Sequence, residues 1–260
     1  MNAKLFRWTS ILYACLIYLF LYIPILVLIA FSFNDSKLNI IWTGFTVKWY
    51  TTLFDSPEIL NAFKVSLLLA VLNTIVAAMI GTLAAVGMYR YNFRGKSILD
   101  GLLYIPILIP EIVMGIALLA LFTMLSIPTG FSTLLLSHVA FSIPFVVIVV
   151  RARLDGFDRS IEEAAMDLGA NHWQTFTRVV LPIIMPGIAS GALLAFTLSL
   201  DDVIISFFVS GPDSLTLPLK IFSMVKFGVT PTINALSTIL LLLTLLLVLV
   251  TEYLNKKKVA

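Results

Sequence analysis

The chain has 260 residues, of which 60% are hydrophobic and 12% charged, with a mean hydropathy of +1.05. Soluble domains carry about twice that share of charge, so this composition excludes a soluble domain and describes an integral membrane protein. A net charge of +3 points only weakly to anionic partners, and the single cysteine, Cys15 in an apolar run, excludes a disulfide framework or a zinc site.

The N-terminal MNAKLFRW is short and basic. The apolar run over 9–33 is too long for a signal-peptide core and no small-x-small cleavage site follows it, so it is expected to stay as a first span. Residues 34–57 read as a polar loop whose Trp42, Trp49 and Tyr50 suit a membrane interface. The second span covers 60–88, with a small-residue face of Ala77, Ala78, Gly81, Ala84 and Ala85 for close helix packing. A basic loop with Arg90, Arg94 and Lys96 leads to the third span, 98–125. Its Pro106 and Pro110 free backbone carbonyls and predict a kink against protein rather than lipid. A turn over 126–130 precedes the fourth span, 131–150, which contains Pro144. After a loop over 151–182, the fifth span, 183–210, opens with the close-packing motif Gly187-x-x-x-Gly191. A polar loop with three prolines, 211–232, and a sixth span, 233–254, complete the series.

Runs of about 20 residues or more can each cross a hydrocarbon core about 30 Å thick. The expected fold is therefore all-α, one transmembrane domain over 1–260 with six spans and both termini on one side. With the termini inside, Lys4, Arg7, Arg90, Arg94, Lys96, Arg151, Arg153, Arg159, Arg178, Lys256, Lys257 and Lys258 are cytoplasmic. Only Lys37, Lys48, Lys64, Lys220 and Lys226 fall outside. The excess of basic residues places the termini and the 151–182 loop in the cytoplasm.

Within that loop, Arg159 to Pro182 carries its own helix punctuation. Ser160-x-x-Glu163 reads as a capping box, Gly169 as a left-handed stop, and Asn171-x-x-Gln174 as a second start, with Pro182 ending the second helix. Ile161, Ala164, Ala165 and Leu168 share one face of the first helix, while Glu163 and Asp167 stack on another. An acidic face offered to a partner is expected; the plainer reading is a solvated helix packing its small face on its own protein.

Three acids lie inside spans: Glu111 in the third, Asp201 and Asp202 in the fifth. At about 1.5 Å per residue, Glu111 sits about 20 Å from the inner end and Asp202 about 14 Å from the outer end, so the three share a level in the outer half. Two aspartates at a helix centre cost about 5–7 kcal/mol, and the apolar residues of that span offset only about 4–7 kcal/mol. This face is expected to line a polar cavity or meet a cation, as a path for a cationic solute. The plainer alternative is an acid bonded to backbone freed at a helix break, or protonated by burial. His138 and His172 lack metal-ligand spacing and read as polar helix-facing imidazoles. No HExxH, GxSxG or phosphate loop occurs: the nearest lookalike ends in Gly95-Lys96-Ser97 but has Arg90 where its first glycine belongs. The chain is thus expected to be no enzyme and to hold no nucleotide or cofactor of its own.

Glu163-Ala164-Ala165, then Gly169, then Val179-x-Leu181-Pro182 resembles the EAA motif of ABC-importer membrane subunits, with valine for the usual isoleucine. The chain is similar to type I importer permeases. FTVKWY over 45–50, YRYNFRGK over 89–96, SLDDV over 199–203 and PLKIFSMVK over 218–226 extend the likeness along nearly the whole chain, to the C-type subunit of spermidine/putrescine permeases. The resemblance implies a bacterial inner-membrane location, a second permease subunit, a pair of ATP-binding subunits that carry ATP and Mg, and an extracytoplasmic polyamine-binding protein. It also implies that Glu162, Glu163, Ala164, Ala165, Asp167 and Gly169 form a coupling helix docking on the ATPase. Carboxylates with Phe207 and Phe208 nearby suit ammonium groups. The rivals are an importer of the same architecture for a metal ion, thiamine or an anion, and an ATPase-independent cation channel or carrier. A DNA-binding helix-turn-helix over 160–181 is opposed by Glu162, Glu163 and Asp167, which phosphates would repel, so no nucleic-acid partner is expected.

Overall fold

The computed structural model describes residues 3–36, 41–158, 160–226 and 228–259, with side chains over 7–36, 41–158, 160–226 and 228–246. Lys37 and Arg159 therefore lie outside the described residues, as do the side chains of Lys4, Lys256, Lys257 and Lys258. In chain order the helices are α1 (Ala3–Phe31), α2 (Lys48–Phe54), α3 (Pro57–Arg90), α4 (Lys96–Leu108), α5 (Glu111–Met124), α6 (Phe131–Leu154), α7 (Ser160–Asp167) and α8 (His172–Thr175). A π-helical turn (Phe176–Val180), α9 (Leu181–Asp201), α10 (Ile204–Val209), α11 (Leu217–Lys226) and α12 (Pro231–Val259) follow. Among the described residues the β-structure is limited to an isolated bridge between Asn34 and Phe45.

Among the described residues, four helical stretches are long and apolar enough to cross a membrane: Arg7–Phe31, Pro57–Arg90, Phe131–Leu154 and His172–Asp201. The broken pair α4–α5 is a fifth if it counts as one span, and Pro231–Leu246 is a shorter apolar helix.

The chain divides into two compact units. In the unit of Met1–Leu60 with Ile221–Ala260, α12 packs on α1 and α2. The expected loop over 34–57 is more ordered than its composition suggested. Fully buried Asn34 organises it: its amide donates to the Ile41 carbonyl, its Oδ1 accepts from Thr43 N, and its carbonyl accepts from Trp49 Nε1 at 2.7 Å. Trp49 thus satisfies its indole N–H inside the loop. Tyr50 Oη meets Ser32 Oγ at 2.7 Å.

The unit of Asn61–Lys220 is built around α6, whose Val146, Val147, Val150 and Leu154 are fully buried. The small-residue faces do what close packing requires of them. A Cβ at Gly81 of α3 would stand 2.7 Å from the Val146 side chain, and one at Gly191 of α9 3.3 Å from it. One at Gly187 would stand 2.9 Å from Arg153 Cβ. Valine at 146 is thus gripped from two helices.

Several expectations are corrected. The third span is not one kinked helix: it breaks at Ile109–Pro110 with a bend of 111°. Proline disfavours the helical region for the residue before it, and Ile109 is extended at ψ 134°. The α4 half has no fully buried residue, but its Pro106 is half-buried and α4 packs on α6. The fifth span begins earlier and ends earlier than 183–210. It runs unbroken from His172 to Asp201, and Asp202 is extended before α10. Pro182 does not stop the helix. The π-helical turn just before it widens the coil, with Leu181 N–H reaching Phe176 O, and relieves the clash of the proline ring with the preceding turn. The loop over 211–232 contains α11, whose Leu217 N–H donates to Ser66 Oγ at 2.7 Å.

Candidate functional site

Two clusters, both in the Asn61–Lys220 unit, contain the expected site residues. The first lies where two helices are broken. Glu111 is the first residue of α5, immediately after the Pro110 break, and is exposed. Asp201 is the last residue of α9 and also exposed, while Asp202 is buried. The carboxyl of Glu111 lies within electrostatic range of both aspartates, although some 90 positions separate them in sequence. The packing of α5 on α10 makes this possible: a Cβ at Gly115 would stand 2.6 Å from the Phe208 ring.

The two aspartates have different surroundings. Asp202 accepts hydrogen bonds from Ile205 N–H at 3.1 Å and Ser206 N–H at 2.7 Å, so its carboxylate satisfies donors at the start of α10. It also lies 3.4 Å from His138 Nε2. His138 is itself buried, sharing hydrogen bonds with Ser199 Oγ at 2.8 Å and Ser206 Oγ at 3.1 Å. Asp202 is therefore the acid bonded to freed backbone, and Asp201 and Glu111 are the acids left facing outward. The aromatics divide likewise: Phe208 packs on Gly115, whereas Phe207 is 52% exposed. His138 is thus the polar, helix-facing imidazole expected of it, and the structure supplies its partners.

The second cluster is α7 and its surroundings. The expected Ser160 capping box is replaced by an Asx turn. Asp158 Oδ1 accepts from Ser160 N–H at 2.9 Å, and Ser160 is itself the first helical residue. These bonds from the Ser160 amide and hydroxyl hold the Asp158 carboxyl below the usual aspartate range. The C-terminal end is as expected. Gly169 is left-handed at φ +90°, its N–H reaches Met166 O at 2.9 Å, and Ala170 N–H reaches Ala165 O at 3.1 Å, a complete Schellman motif. The second capping box is reciprocal: Gln174 N–H donates to Asn171 Oδ1 and Asn171 N–H to Gln174 Oε1.

The outward face of α7 differs from the expected one. Glu162, Ala165 and Met166 turn inward, while Ile161, Glu163, Ala164, Asp167 and Leu168 are exposed, Leu168 at 90%. Trp173, just beyond the turn, is 71% exposed. The open face therefore combines acids with apolar side chains, which suits a protein groove better than water. Glu162 pairs with Arg90 of α3 at 2.5 Å, and the Arg90 guanidinium lies 5.9 Å from the Phe176 ring. That pair joins residues 72 positions apart, and no local pattern announces it. Arg90, Tyr91, Glu162, Glu163, Met166 and His172 line a hollow of about 210 Å³ beside α7.

Residues 77–259 match the family described as binding-protein-dependent transport system inner membrane component. The chain belongs to this family. The permease is 50% identical over 242 residues to the spermidine/putrescine transport system permease protein PotC of Escherichia coli K12, covering 93% of this chain and 92% of that one. It is 45% identical over 229 residues to the putrescine transport system permease protein PotI of the same organism, covering 85% and 82% of the two chains. In a crystal structure of a bacterial ABC transporter involved in the import of the acidic polysaccharide alginate, one chain superposes with a TM-score of 0.76. The identity is 15%, over 97% of this permease and 98% of that chain. The all-helical ABC-permease fold expected from the sequence is thus the fold found, in a multi-pass membrane protein.

Proposed function

We propose that this permease is the membrane subunit of an ATP-driven importer that moves polyamines into the bacterial cytoplasm by alternating access. The observation that carries the reading is the 50% identity to a spermidine/putrescine permease over 93% of the chain. Glu111 and Asp201, both exposed and within electrostatic range, agree with it, since a polycation needs carboxylates that are not consumed by the fold. Phe207 adds an aromatic face for an ammonium group. Glu111 and Asp201 form the cation path, and Asp202 shapes it from behind by holding the helix break.

The partners are a second permease subunit, an ATP-binding subunit dimer carrying ATP and Mg, and an extracytoplasmic polyamine-binding protein. The exposed side chains Ile161, Glu163, Ala164, Asp167 and Leu168 are the docking face for the ATPase, with Gly169 setting the end of the helix. Both termini and α7 lie on the cytoplasmic side. ATP-driven closure of the ATPase pair moves α7, and the packed helices pass that motion to the broken segments where the acids lie.

The test is uptake of radiolabelled spermidine and putrescine by vesicles holding the full assembly, with ATPase activity read in the same samples. Asp201→Asn and Glu111→Gln are expected to lower uptake about tenfold or more while leaving basal ATP hydrolysis, the loss of a carboxylate partner being worth about 1.5–3 kcal/mol. Absence of polyamine uptake in wild type, alongside ATPase stimulation by another solute and its binding protein, would sink the polyamine reading and leave the importer standing.

A further inference from the structure

The Arg90–Glu162 pair is not explained by docking. Glu162 faces its own protein, and its side chain and that of Arg90 are 15% and 21% exposed. The backbone of α7 packs on α8 and the π-helical turn, and this pair ties it to α3. Arginine suits the position because its planar guanidinium can hydrogen-bond a carboxylate and lie against an aromatic ring together. Arg90 does both, reaching Glu162 on α7 and Phe176 in the π-helical turn from its own place at the end of α3. Three elements thus converge on one side chain. α7 is also closed at both ends, by the Asp158 turn and the Gly169 Schellman motif, so it can be displaced as a unit.

We propose that Arg90 and Glu162 are positioning residues that link α7 to α3, so that a displacement of α7 is passed to the α3 helix as well as, through α8 and the π-helical turn, to α9. This rests on the coupling role proposed above for α7. Glu162 then serves coupling from the inner face, where Glu163 serves it from the outer one. Arg90 needs no contact with solute or ATPase to act.

The experiment measures solute taken up per ATP hydrolysed in proteoliposomes holding the complete importer, normalised to assembled complex. Arg90→Glu, Glu162→Arg and Glu162→Gln are compared with the double exchange Arg90→Glu/Glu162→Arg and with Glu163→Lys. Each single change at 90 or 162 is expected to lower the ratio about three- to tenfold, as changes along a coupling contact do, and the double exchange to recover most of it. A pair that only helped folding would change the amount of complex and not this ratio. If a charge reversal does not assemble, Glu162→Gln, which keeps the shape but removes the charge that pairs with Arg90, carries the result. Wild-type ratios in the single variants, or a double exchange no better than the worse single, overturn the proposal. If Glu163→Lys uncouples the complex while the 90 and 162 variants do not, this proposal alone fails. If Glu163→Lys also leaves coupling intact, the docking role of α7 fails with it.

Discussion

Asp201 and Asp202 are chemically identical neighbours in opposite surroundings, and the backbone between them is the reason. The helix ends at Asp201, so the next carboxylate swings to the start of α10 and meets two amide donors and an imidazole. Removing it leaves buried N–H groups without an acceptor and His138 without its acid. Asp202→Ala is expected to destabilise the assembled protein by about 2–4 kcal/mol. Asp201→Ala, at an exposed position, is expected to stay within about 0.5 kcal/mol. Thermal unfolding in detergent compares them, and equal losses would reverse this assignment. Composition made both acids conspicuous, because charge inside an apolar run is costly wherever it lies. Which one the fold consumes depends on an imidazole 64 positions away, and no spacing rule reaches that far.

Helix ends and breaks divide along the same line. Gly169 was legible because a left-handed stop needs only one residue type and its neighbours. Alanine there must either adopt φ +90° or give up the Schellman bonds, at a cost of about 1 kcal/mol. Gly169→Ala is therefore expected to speed amide exchange at 168–170 several-fold and to lower uptake per ATP; unchanged exchange would mean that the turn is held by something other than its glycine. Pro182 and Pro110 were harder to read. Each signals a disturbed helix, yet one is absorbed by a π-helical turn and the other ends in a bend of 111°. Proline removes a hydrogen bond in both cases. What surrounds it decides between a wider coil and a corner.

For the whole molecule, the distribution of lysine and arginine predicts that α7 lies inside and the 211–216 segment outside. Cysteines introduced at exposed Asp167 and Asp213, in a Cys15→Ser background, are expected to react with a membrane-impermeant maleimide from opposite sides of the membrane. Labelling of both from one side would overturn the assigned topology. The exposed apolar surface of α1 and α4 also needs a nonaqueous neighbour, lipid or a second subunit, since neither helix has a residue buried by this chain in its apolar stretch.

By itself the sequence determined that the chain lives in a membrane, that it is helical throughout, where its small-residue seams run, and that a capped polar helix interrupts it. These properties depend on composition, on a period of 3.6 residues, or on a few adjacent positions, so they can be read locally. Only the tertiary structure decided that Glu111 comes within electrostatic range of Asp201, that Asp202 is spent on α10 and His138, that Glu162 turns inward to Arg90, and that the apolar side of α7 faces out. Each of those depends on residues far apart in the chain. Such arrangements are selected by how whole helices pack, and packing is not written in any one stretch of sequence.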